Sequence, residues 1–110
     1  MYKPKTSNDL KKLVNDLSIN LGDIDTSAIT DMSLLFCRSS RKDFNGIESW
    51  NVSSVTNMNS MFAYCKNFNQ SLNNWDVSSV TNMSGMFINC YNFNQPLDNW
   101  DVSSVTFMSR

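Results

Sequence analysis

Trp50–Asn74 reads WNVSSVTNMNSMFAYCKNFNQSLNN, and Trp75–Asn99 writes it again as WDVSSVTNMSGMFINCYNFNQPLDN. A third copy opens at Trp100 as WDVSSVTFMSR and runs to Arg110. Trp50/Trp75/Trp100, Val52/Val77/Val102, Val55/Val80/Val105 and Met58/Met83/Met108 each return after 25 residues. A period of this size marks units that bury their apolar faces only against their neighbours. The stretch is therefore read as a repeat solenoid.

Working outward, an older-looking copy precedes Trp50. Ile24–Met32 overlays Trp50–Met58 position for position, Leu35-Phe36 matches Met61-Phe62, and Phe44-Asn45 matches Phe68-Asn69. Its segment Cys37–Asp43, CRSSRKD, is longer than the corresponding AYCKN and makes the period here 26. We read this insert as a solvated loop, and its Arg38, Arg41 and Lys42 make it the most basic spot on the chain. Further upstream, Leu10, Leu13, Val14 and Leu17 fall at i, i+3, i+4 and i+7, one stripe of an amphipathic helix over residues 6–17. Thr6 or Ser7 can cap its start. This helix is expected to cover the first repeat, because an uncovered terminal unit would expose its apolar face. The expected division is residues 1–23 for the capping region and 24–110 for the repeats, as 24–49, 50–74, 75–99 and a partial 100–110.

Inside one repeat, Trp75-Asp76-Val77 alternates like a very short strand, and Ser78-Ser79 makes a polar corner. Met83, Met86, Phe87 and Cys90 are spaced 3, 1 and 3, which predicts a short helical turn. The return runs through Asn94-Gln95-Pro96, where proline has no place in a central strand. Stacking is expected to set Trp50, Trp75 and Trp100 in a ladder.

Composition excludes several classes. The net charge is −1 and only 17% of residues are charged, which leaves no electrostatic footprint for nucleic acid or an anionic membrane. No apolar run approaches the roughly 18 residues of a spanning helix. MYKPKTSNDLKK has no apolar core of a secretory signal. Histidine is absent and the three cysteines lack a CxxC pair, so no zinc site, cofactor or imidazole mechanism is expected. An enzyme is not the expected reading, since the carboxylates lie in repeating rows and not as one unequal pair.

The pattern W-x-V-S-S-V-T-N-M-x-x-M-F-x-x-C-x-x-F-N-Q-x-L resembles the BspA-like leucine-rich repeat of bacterial surface proteins. Trp75 and Val77 take its paired isoleucines, Ser78 its proline, Val80-Thr81 its V-T and Phe87/Cys90 its F-x-x-C. The resemblance implies an α/β repeat solenoid of the right-handed leucine-rich-repeat kind, with short parallel strands on the concave face and short helical turns outside. It also implies a surface or secreted, adhesion-like protein, although no signal peptide is visible.

On that frame, Asn51, Ser53, Asn74, Asp76, Ser78, Asn99, Asp101 and Ser103 are expected on the concave face as a partner-binding surface. Asp76 and Asp101 would then lie at strand spacing, roughly 4.8 Å, a like-charge contact tolerated on a solvated face or by binding a cation or basic partner. The looped D-x-D-x-D grouping of a calcium site is absent. Asn45, Asn69 and Asn94 are expected to pair with backbone groups of adjacent repeats as a structural ladder. Cys65 and Cys90 share register; a disulfide between them is geometrically open, and buried reduced thiols are the plainer reading. Cys37 is the expected exposed thiol. Phe107 stands where Asp31, Asn57 and Asn82 stand, and the last repeat lacks its M-F-x-x-C segment, leaving Trp100, Val102 and Phe107 as an apolar edge. The expected function is non-catalytic recognition of a protein partner through the concave face. The alternative is a self-associating module, a homodimer joined end to end through the C-terminal repeat.

Overall fold

The computed structural model describes residues 1–108, so Ser109 and Arg110 of the partial fourth repeat lie outside the described residues. Helix α1 (Ser7–Asn15) starts where Thr6 accepts a hydrogen bond from the Asp9 N–H at 3.1 Å. It buries Leu10 and Val14 against the first repeat, and ends two residues before Leu17, which is left 58% exposed. Two single 3-10 turns, Leu21–Asp23 and Ile47–Ser49, follow. They press so close that a Cβ on Gly46 (φ 96°) would lie 2.4 Å from the Gly22 nitrogen.

The expected α/β solenoid does not form. Among the described residues there is one α-helix and no strand, only isolated parallel bridges at Tyr2–Ile24, Asp31–Asn57, Asn57–Asn82 and Asn82–Phe107. Trp75-Asp76-Val77 carries none of them, so there is no sheet, no concave strand face and no leucine-rich-repeat architecture. The molecule is instead a compact body of turns, with a radius of gyration of 12.7 Å.

The reason lies in the segment read as a helical turn. Met61 N–H donates to Met58 O at 3.2 Å and Cys65 N–H to Phe62 O at 3.0 Å, two consecutive β-turns. Their third residues, Ser60 and Tyr64, have φ of 55° and 58°, the left-handed conformation that position of a type II turn demands. Leu34 and Arg38 in the first repeat, and Gly85 and Asn89 in the third, occupy the same two positions with the same sign of φ. A turn and a helix share the three-residue spacing, so apolar periodicity does not separate them.

Between these turn bonds, alternate N–H groups point across to the next repeat. Met32, Leu34, Phe36 and Arg38 donate to the carbonyls of Asn57, Asn59, Met61 and Ala63, at 2.8–2.9 Å. Met58, Ser60, Phe62 and Tyr64 donate likewise to Asn82, Ser84, Met86 and Ile88. Along this segment each repeat gives N–H to the repeat after it, while the Thr56, Thr81 and Thr106 N–H groups donate back to the Thr30, Thr56 and Thr81 carbonyls at 2.8 Å. Neighbouring repeats thus pair closely without any two adjacent residues adopting a strand.

The core follows the same register. Phe36, Phe62 and Phe87 stack with centroids 5.4 and 5.7 Å apart and planes within 4°. Phe62 and Phe87 stack in turn on Phe68 and Phe93, at 4.0 and 4.3 Å. Each tryptophan reaches the residue three positions before its own equivalent one repeat earlier: the indole N–H groups of Trp50, Trp75 and Trp100 donate to Leu21, Ile47 and Leu72 carbonyls at 2.8–3.0 Å. Their recorded ring contacts are tilted ones with Phe36, Phe62 and Phe87. The phenylalanines, and not the tryptophans, form the continuous ring stack.

Candidate functional site

The rows expected to bind a partner are turn-closing residues. The side chains of Asp25, Asn51, Asp76 and Asp101 each accept the backbone N–H two residues on, from Ser27, Ser53, Ser78 and Ser103, at 3.0–3.1 Å. Ser53 and Ser78 add their hydroxyls to the same oxygens at 2.7 and 2.6 Å. The serine hydrogen bonds hold the Asp76 and Asp101 carboxyls below the usual range, with Asp101 opposing weakly at Asp76. Asn74 and Asn99 are exposed beside them. The row is a solvated edge of Asx turns whose Oδ1 atoms are engaged by their own chain.

The expected structural residues are distributed unevenly. Asn69 accepts the Asn94 N–H at 2.8 Å, and Gln95 donates to the same side chain, whereas Asn45 takes its own N–H to Asp43. Cys65 and Cys90 are buried and unbridged, and the Cys90 thiol donates to Cys65 O at 3.1 Å. Burial pushes the Cys65 thiol up to about 12 and Cys90 to about 11. Cys37 is half-buried. The basic insert is corrected at Arg41, which is 4% exposed and donates to the carbonyls of Val14, Asp16, Ile19 and Asp43 at 3.0–3.3 Å.

The apolar edge is where exposure concentrates. Val52 and Val77 are buried, while Val102 is 38% exposed; Met58 and Met83 are buried, while Met108 is 54% exposed. Phe107 is 62% exposed, and its backbone bridges Asn82. Behind them Met83, Met86, Phe87, Leu97, Trp100 and Met108 line a cavity of about 280 Å³. One repeat earlier the same slot is filled, since Phe87 stacks on Phe62 and Phe93 on Phe68. The cavity thus lies where, by the register, the M-F-x-x-C-x-x-F segment of a following repeat would pack. Sequence reasoning named Trp100 and Val102 here and passed over Met83, Met86, Phe87, Leu97 and Met108. Their signal was the same register, since the next-repeat phenylalanine that stacks on Phe62 has no described counterpart over Phe87.

A model of the family described as "Mycoplasma protein of unknown function, DUF285" matches residues 7–110. The chain belongs to that family. This overturns the BspA-like assignment: the V-T and F-x-x-C positions quoted for it sit in stacked turns here, not in a strand and helix. The DUF285 match starts at Ser7, the first residue of α1. No curated protein and no solved structure matches this DUF285 chain. Among its described residues no group of three or more histidine, cysteine or acidic side chains is placed to hold a metal ion. Among the described residues no helix is long and apolar enough to cross a membrane.

Proposed function

We propose that this chain is a non-catalytic recognition module that binds a partner through the apolar face around Phe87, Trp100 and Val102. The observation that carries the reading is the cavity between Phe87, Leu97, Trp100 and Met108, whose counterpart one repeat earlier is filled by the chain itself. Apolar surface left in this form favours association, because burying it releases water at about 25 cal/mol per Å².

Polarity of the backbone narrows the occupant. By the repeat register this face turns the N–H groups of Phe87 and Asn89 outward, as Phe62 and Tyr64 turn theirs toward Met86 and Ile88. Across the turn segments, two copies meeting through the same face would set the Phe87 and Asn89 donors against each other, with the Thr106 carbonyl, by the register of the Thr56 and Thr81 carbonyls, as an outward acceptor. That argues against the two-fold end-to-end homodimer and for a partner segment that presents carbonyls, as the following repeat does within this chain. A further repeat of the same kind meets both demands, apolar and polar.

A synthetic peptide of residues 82–99 supplies such a segment. Added to the full chain, it is expected to shift the fluorescence of half-exposed Trp100 to shorter wavelength, and V102D is expected to abolish the shift. An unchanged spectrum at saturating peptide, or a shift that persists in V102D, would refute the reading.

A further inference from the structure

A second surface, separate from the apolar end, lies where the basic insert meets the second turn of each repeat. Arg38, Ser39, Ser40, Tyr64, Lys66 and Tyr91 line an open groove of about 630 Å³, with no carboxylate among its lining residues. The chain as a whole carries a net charge of −1, so two cations facing one groove is a local reversal of sign. The Arg38 guanidinium lies over the Tyr64 ring, 4.3 Å from its centroid. Stacking uses the face of the guanidinium and leaves its in-plane N–H donors directed outward. Tyr91 is 74% exposed on the next repeat.

Backbone geometry sets where these side chains project. Arg38, Tyr64 and Asn89 hold the same turn position with φ of 59°, 58° and 53°. Asparagine tolerates this conformation, but arginine and tyrosine carry a steric penalty there. The third repeat shows that the turn itself does not require them. Leu34 carries the same left-handed φ outside the groove, so the repeated turn imposes it; its consequence here is that Arg38 and Tyr64 project into one groove.

We propose that this groove binds an acidic peptide segment, with a carboxylate held by Arg38 and Lys66 and the peptide laid over Tyr64 and Tyr91. The planar fork of arginine matches a carboxylate in two parallel hydrogen bonds. The groove extends over residues of three successive repeats, a length suited to an extended peptide and generous for a single small anion. The phenol rings add apolar contact without adding charge.

The test is fluorescence anisotropy of the full chain with a fluorescein-labelled peptide of alternating aspartate and glutamate. Its asparagine/glutamine counterpart and a labelled oligothymidylate are run beside it. Expected is saturable binding of the acidic peptide alone, weakened by salt and by about tenfold or more in R38Q. Arg38 is exposed, so R38Q should fold, and an unchanged circular dichroism spectrum checks this. R38Q with K66Q is expected to abolish binding. No saturation below about 1 mM, equal binding of the amide peptide, tighter binding of the oligonucleotide, or an R38Q variant of unchanged affinity would each overturn the proposal. V102D serves as a reference, because it disables the apolar end and is expected to leave this binding intact.

Discussion

At the residue scale, Arg41 shows how one side chain can hold a helix to the body it covers. Its guanidinium reaches Val14 O, at the end of α1, and continues to Asp16 and Ile19, so that four backbone carbonyls share one cation. Burial lowers its affinity for the proton, opposed by Asp43 and Asp16, but an arginine remains charged across the accessible pH range. R41M is expected to cost about 3 kcal/mol in urea denaturation, since it strands buried acceptors. R41K should recover only part of that loss, because lysine lacks the fork. A second prediction concerns Asp76 and Asp101, whose carboxyls are held below 3.8 by Ser78 and Ser103. A group depressed in the folded state contributes stability above its unfolded pKa and loses it as pH falls through the folded value. Asn51 closes the same turn without a charge. The double variant D76N/D101N should therefore keep the turns but lose the carboxylates' share of stability at pH 7, and show a shallower acid limb below about pH 4, read as midpoint against pH. For the thiols, burial that raises Cys65 and Cys90 predicts that Cys37 reacts first with a thiol reagent, the other two only on unfolding.

Turns, not helices or strands, are the working elements of this chain. The third position of each turn is left-handed, and the chain fills it with Gly85 and Asn89 in one repeat but Leu34 and Arg38 in another. A Cβ added at Gly85 would also meet Ser60 Oγ at 3.3 Å. G85A is expected to lose about 1 kcal/mol, and L34G to gain a smaller amount, because Leu34 is already 47% exposed and gives up little burial. Equilibrium denaturation separates the two signs. At α1, T6A removes the acceptor for the Asp9 N–H and should cost about 1 kcal/mol.

Across the whole molecule, stability depends on each repeat covering the last. Phe62 touches rings on both sides, with Phe36 and Phe87 at 5.4 and 5.7 Å and Phe68 at 4.0 Å. F62A is expected to cost about 4 kcal/mol, the high end for an aromatic core residue, and to unfold the chain at ambient temperature if its total stability is of ordinary size. F107N removes an exposed ring while its backbone bridge to Asn82 remains. That variant should stay within about 0.5 kcal/mol of the parent, in contrast to F62A, when both are followed by calorimetry.

The repeat register, the helix near Ser7–Asn15 with Leu10 and Val14 inward, and the identity of the buried columns were legible in the sequence. They depend on apolar spacing and capping chemistry, which are local. Strand, helical turn and concave face were not legible, and neither was the BspA-like assignment drawn from them. The spacing of Met83, Met86, Phe87 and Cys90 suits a helix and a pair of β-turns equally, and only the left-handed φ at Gly85 and Asn89 distinguishes them. The site was half legible: Trp100 and Val102 could be named as exposed, but the cavity behind them exists only once Phe87, Leu97 and Met108 are set around it. Arg41 marks the sharpest division. Sequence makes it a surface charge in a basic loop, whereas the fold turns it inward onto four carbonyls that lie 2–27 residues away along the chain. Order along the chain determines which groups are alike; only tertiary packing decides which of them meet.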